Sequence, residues 1–200
     1  MRDPLARLIS QYDFHKKWPD SDDGRPLQRM PVSRYLLLDR ESFDSPKARY
    51  KHFNLHTFMI CGLDCQHAGS NAAVWDTEEP LRIAQANIRR CYVAVGTVED
   101  GNATRAALSA VLPKWFPKNS APLRSENVAT SSRRLATVSL CSLPGWLLAA
   151  LGMEGCGQKR NATCIAAAMS SDDLARMEHS MGHDLALYEW VRGRLSQDTH

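Results

Sequence analysis

Two hundred residues, 44% of them hydrophobic and 24% charged, suit one domain with a sizeable core. A net charge of +3 fits an anionic ligand without demanding nucleic acid, and no basic block is long enough for a nucleic-acid arm. Met1 is followed at once by charge and proline, which predicts no signal peptide in this chain, and the longest apolar run, residues 145–153, falls far short of a membrane span.

The first predicted element is the helix of "RDPLARLISQYDF", with Asp3 as N-cap and Pro4 as its first residue. Leu5, Leu8, Ile9 and Tyr12 fall at helical spacing and predict one buried face. Arg2 precedes the helix and Ser10 lies two turns along it, so free amides, a guanidinium and a hydroxyl could converge on one phosphate. The plain alternative is a capped helix with a solvated Arg2. The stretch that follows, rich in Pro, Asp and Arg, predicts an extended polar loop. Residues 16–51 hold nine Lys and Arg against six Asp and Glu, a surplus equal to the whole net charge.

"FNLHTFMICGLDCQHAGSNAAVW" predicts an apolar entry and then a small-residue loop. The six cysteines are compatible with disulfides or with buried thiols. His52, His56 and His67 near Cys61 and Cys65 invite a zinc reading, but C-x₃-C without a second regular pair fits half-buried histidines beside a small disulfide loop, or plain thiols, better. "PLRIAQANIRR" predicts a helix opened by Pro80 and closed by Arg89 and Arg90.

The apolar run of residues 91–98 predicts a strand buried on both faces of a parallel sheet. Glu99 and Asp100 follow it, where they would either meet a ligand or cap the next helix, and Asn102 is a further N-cap candidate. That helix is predicted to turn Leu108, Val111 and Leu112 inward. Helix, strand, helix in this order predicts an α/β layer fold.

Residues 125–142, rich in Ser and Thr, read as a loop or an edge strand. Residues 152–163 offer glycines near Lys159 but miss the phosphate-loop pattern, because Gln158 precedes the lysine and no Ser or Thr follows it. The last element is one long helix, capped by Ser171, with Asp172 and Asp173 in its first turn and Arg192 and Arg194 in its last. Its predicted buried stripe is Leu174, Met177, Met181, Leu185, Tyr188, Val191 and Leu195, with Gly182 a weak point.

Taken together, "RDPLARLISQYDF", "DDGRP", "CGLDC", "AQANIRRCYVAVGTVED", "LPKWF" and "LYEWVRGRL" resemble, in order, the heparan sulfate and uronyl 2-O-sulfotransferases, a group of Golgi carbohydrate sulfotransferases. The first segment has their 3′-phosphate-binding form, R-x-P-x-x-R-x-x-S-x-Y, and the match covers residues 2–116 and 171–195. The resemblance implies an α/β fold like that of P-loop NTPases, a parallel sheet flanked by helices. It implies transfer of a sulfuryl group from 3′-phosphoadenosine-5′-phosphosulfate to the 2-hydroxyl of a uronic acid in heparan, dermatan or chondroitin sulfate, with no metal and no nucleic-acid partner. Such a transfer is mainly a problem of positioning and charge stabilisation.

Residue by residue, Arg2 and Ser10 match the pair that holds the cofactor's 3′-phosphate, and Arg25 matches a substrate-side arginine. Arg29 is a second substrate-side candidate one residue out of register, and Arg133 or Arg134 would approach cofactor or glycan. Cys61–Cys65 would form a disulfide, and Cys156–Cys164 a second one. The sequons at Asn102 and Asn161 suit glycosylation in a Golgi lumen. No residue matches the family's 5′-phosphosulfate loop, catalytic histidine or membrane anchor, so no catalytic residue is assigned. Residues 1–200 are thus expected to be one N-terminally incomplete domain with an insertion at about 140–164, inactive by itself. Its uncovered strand edge would invite a partner or a homo-oligomer. The competing expectation is a non-catalytic module that binds sulfated glycan through Arg25, Arg29 and Arg34.

Overall fold

Proline has no amide to lose in a first helical turn, and Asp3 supplies the cap: its Oδ1 accepts a hydrogen bond from the Ala6 amide at 2.8 Å. The first helix, α1 (Pro4–Lys17), therefore starts where the sequence predicts. The structure, a computed structural model, describes residues 1–17, 30–66, 72–117, 165–166 and 168–197. Arg25, Arg29, Arg133, Arg134, Asn161, Cys156, Cys164, His67 and the expected 140–164 insertion lie outside the described residues.

After α1 come α2 (Val32–Leu36), a 3₁₀ turn (Arg40–Ser42) and α3 (Pro46–Phe53), the last capped by Ser45, whose hydroxyl accepts from the Ala48 amide. Then α4 (Leu55–Cys61) ends on Gly62, whose φ of 67° suits a residue without Cβ. α5 (Leu63–Gln66) and α6 (Ala72–Trp75) are short. α7 (Glu79–Cys91) opens with Pro80 and closes with Arg89 and Arg90 as predicted. α8 (Gly101–Val111), α9 (Ser171–Ser180) and α10 (Gly182–Gln197) complete the described elements.

Two apolar clusters hold these helices together. The first packs Tyr50 and Phe58 against Ala84 and Ile88 of α7 and Leu187 and Val191 of α10. The second packs Leu8, Ile9 and Tyr12 of α1 against Tyr35, Leu36 and Phe53, and closes with Met177 and Met181. Each fully buried large side chain contributes about 1.5–3 kcal/mol. α3 joins the clusters, with Tyr50 in one and Phe53 in the other.

The expected α/β fold, a parallel sheet flanked by helices, is corrected: every regular element among the described residues is a helix. The segment predicted as its strand shows why. Cys91 closes α7, Tyr92 is extended, and Tyr92, Val93 and Val98 are exposed. A strand buried on both faces needs ladder partners and cover on each side. Here only Met1 pairs backbone to backbone with residues 93–98, among the described residues.

Smaller corrections follow from caps and contacts. Asp100, not Asn102, caps α8, accepting from the Ala103 amide at 2.9 Å. Val111 points outward, and Ser109 is the buried residue of α8. The segment 55–61, predicted only as an apolar entry, is helix α4. The long final helix is two helices broken at Met181, the first capped by Ser170 rather than Ser171, with its hydroxyl accepting from the Asp173 amide. Leu174 and Leu185 are half-buried, whereas Asp184 and Leu187 are fully buried.

Candidate functional site

The start of α1 lies beside the end of the 92–98 segment. The Met1 amino group donates to the Gly96 carbonyl, and the Met1 carbonyl accepts from the Val98 amide at 2.7 Å. Bonds to the residues on either side of Thr97 are the pattern of a parallel bridge. Two helix N-termini, those of α1 and α8, are thereby brought together.

Most donors there are already engaged. The Asp3 amide donates to Glu99 at 3.0 Å, the Ala6 amide to Asp3 Oδ1, and the Arg7 amide to the Asp3 carbonyl. Within the first turn of α1 this leaves the Leu5 amide without a partner, among the described residues. Glu99 also accepts from the Tyr188 hydroxyl at 3.1 Å. Burial, together with the charge of Glu99, pushes the pKa of that phenol up and keeps it protonated. Burial lowers the Met1 amine, and the Glu99 charge opposes it. A cleft of about 720 Å³ opens next to this cluster, bounded by Asp3, Glu99, Asp100, Glu189, Tyr188 and Arg192.

Arg2 sits directly ahead of this cluster, half-buried, with no hydrogen bond or ion pair among the described residues. Ser10 is exposed on α1, about 12 Å further along the helix axis at 1.5 Å per residue. Neither lines the cleft. An anion held by both would therefore lie along the flank of α1, gripped by side chains rather than by a ring of amides. Arg34, on α2, is exposed. Asn102 is exposed in the first turn of α8.

Cys61 and Cys65 are joined, with their Cα atoms 5.5 Å apart, so neither presents a thiolate. His52 is enclosed by Tyr35, Phe43 and Phe53 at ring distances of 4.9, 5.1 and 4.7 Å. His56 faces Asp184, with Nδ1 3.3 Å from Oδ2.

Sequence reasoning missed the buried polar hub beneath the site. Asp184 accepts from the His56 amide, the Thr57 amide and the Thr57 hydroxyl, capping α4 from another helix. Asn54 returns the favour, accepting from the Asp184 amide and donating to the Ser180 carbonyl. Arg7 donates to the His52 and Phe53 carbonyls at the end of α3 and stands 3.6 Å from Asp184. Burial would raise the Asp184 carboxyl, but the His56 side chain, the Arg7 charge and the Thr57 amide outweigh it and hold it low. The sole signal in the sequence was a charged residue at helical spacing between apolar ones, which also fits a solvated face.

No protein-family model matches the chain, and neither a curated protein nor a solved structure matches it.

Proposed function

We propose that this chain is part of a sulfotransferase that uses 3′-phosphoadenosine-5′-phosphosulfate, and that Arg2 and Ser10 hold the nucleotide's 3′-phosphate. The acceptor would be the 2-hydroxyl of a uronic acid in a glycosaminoglycan, and the working compartment the Golgi lumen. One observation supports the reading best. Arg2 is a half-buried guanidinium with no anionic partner among the described residues, next to a capped helix that presents an exposed serine two turns on. The other arginine of the same motif, Arg7, is spent on the hub. A guanidinium matches two oxygens of a phosphate, and a hydroxyl completes the grip.

The test is calorimetric titration of the whole chain with adenosine 3′,5′-bisphosphate and with adenosine 5′-monophosphate. The bisphosphate is expected to bind more tightly. Loss of a charge-assisted contact of about 1.5–3 kcal/mol in Arg2→Ala should weaken it by about tenfold or more, and Ser10→Ala by less. Equal affinity for the two nucleotides, or an unchanged Arg2→Ala, overturns the assignment. A heparin oligosaccharide that binds while neither nucleotide does would favour the glycan-binding module carried by Arg25, Arg29 and Arg34 instead.

A further inference from the structure

Beside residues 92–95, α7, α8 and α10 leave, among the described residues, an open groove of about 810 Å³. Its floor is apolar, built from Ile88, Ala107, Val191 and Leu195, and Val93, 70% exposed, stands at its wall. Three arginines line it, Arg89, Arg105 and Arg194, and among the described residues no carboxylate does. Two of them are held in place by one indole: the Arg89 and Arg194 guanidiniums lie 5.2 and 5.1 Å from the Trp190 ring. The backbone beside the groove is unsatisfied. Met1 engages Gly96 and Val98, while the amides of Val93, Ala94 and Val95 make no hydrogen bond among the described residues.

We propose that this groove docks an acidic peptide segment of a partner protein, laid extended along Val93–Val95. Its alternate apolar side chains would cover Val93 and the groove floor, and its carboxylates would meet Arg89 and Arg194. The features select this occupant jointly. An extended peptide offers free carbonyls to the unpaired amides, which a helix with its own bonds made does not. A second copy would bring the same three arginines face to face across a twofold axis, like charge against like. A sulfated polysaccharide would satisfy the arginines but leave the apolar floor against water. The site is separate from Arg2 and Ser10 and does not depend on the nucleotide reading.

The experiment uses the whole chain and a labelled peptide of about seven residues, the length of the 92–98 segment, alternating valine and glutamate. Fluorescence anisotropy is expected to show salt-sensitive binding, and a valine–lysine peptide is expected not to bind. Arg89→Glu with Arg194→Glu, both exposed side chains, should weaken it by about tenfold or more. Amide hydrogen exchange at Val93 and Val95, which share one edge of an extended backbone, should slow by about tenfold with peptide bound, a readout that a fold-wide effect of the substitutions cannot imitate. Equal binding of the lysine peptide overturns the proposal. So does peptide binding that leaves those amides exchanging freely. Protection of the same amides by heparin, or by self-association without peptide, assigns the groove to polysaccharide or to a second copy and overturns it equally.

Discussion

Asp184, in the first turn of α10, caps α4 by accepting from the Thr57 amide at 2.7 Å and the Thr57 hydroxyl at 2.8 Å. Asn54, just ahead of α4, caps α10 in return. Each helix thus supplies the oxygen that the other's N-terminus lacks. Arg7 ties α1 into the same point by filling the last carbonyls of α3. Three elements far apart in sequence are positioned by one buried carboxylate.

Replacing that carboxylate should be costly. Asp184→Asn keeps the shape but leaves the buried Arg7 guanidinium, 7% exposed, without its counter-charge. Breaking a buried pair by removing one partner costs about 3–5 kcal/mol. Urea denaturation is expected to show a loss of that order, while Arg192→Ala, on an exposed pair of α10, should change little. A loss from Asp184→Asn as small as that of the surface variant would show that the hub does not hold the helices.

Stability should fall with acid in two stages. Burial, with the nearby Arg7 and His15 adding to it, pushes the His52 imidazole down to about 3 from 6.5. The unfolded chain therefore takes up that proton first as the pH drops below 6.5. Stability is complete above that value and declines towards pH 3, by at most about 1.4 kcal/mol per pH unit for one proton. His183, lowered chiefly by burial, adds to the same window. Asp184, held below 3.8, contributes above its unfolded value and withdraws only as the pH passes down through its folded one. Unfolding titrations between pH 7 and 4 should flatten in His52→Phe, which packs among the same rings. An unchanged slope would refute the assignment to His52.

Gly96 should not tolerate a side chain. A Cβ there would lie 2.6 Å from Thr104 Cβ, and Thr104 is anchored by its hydroxyl donating to the Thr97 carbonyl at 2.8 Å. Gly96→Ala is expected to cost about 1–3 kcal/mol through overpacking. Gly101→Ala, in the first turn of α8 with nothing within 4 Å of the added carbon, is the control and should be neutral or slightly stabilising. Equal melting temperatures for the two variants would contradict the close packing at Gly96.

The Cys61–Cys65 bond closes a very short loop with both cysteines buried. The chain-entropy account gives about 2 kcal/mol for a loop of this length. Melting of Cys61→Ser with Cys65→Ser, compared with the oxidised protein, should show a loss of at least that order, because two buried positions also become polar. Identical melting with and without reductant would mean that the pair contributes nothing.

How much of this was legible beforehand follows from the range over which each signal acts. A cap and its helix lie within one turn of each other, so Asp3 and Pro4 at α1, and Pro80 with Arg89 and Arg90 at α7, are readable as local chemistry. The apolar face of α1 follows from spacing in the same way. The candidate phosphate residues Arg2 and Ser10 came from a motif, and the fold adds only that Arg2 has no ion pair among the described residues.

Tertiary structure alone decided the fate of residues 92–98, the break at Met181 and the burial of Asp184. A strand exists only when another strand accepts its bonds, and a buried carboxylate is tolerable only when donors arrive from other helices. The apolar run of 92–98 states that it must be covered but not by what, and the alternation around Asp184 fits a wet face as well as a buried one. Local propensity determined where helices begin. Which of their polar groups face inward was settled by partners that the chain brings together only on folding.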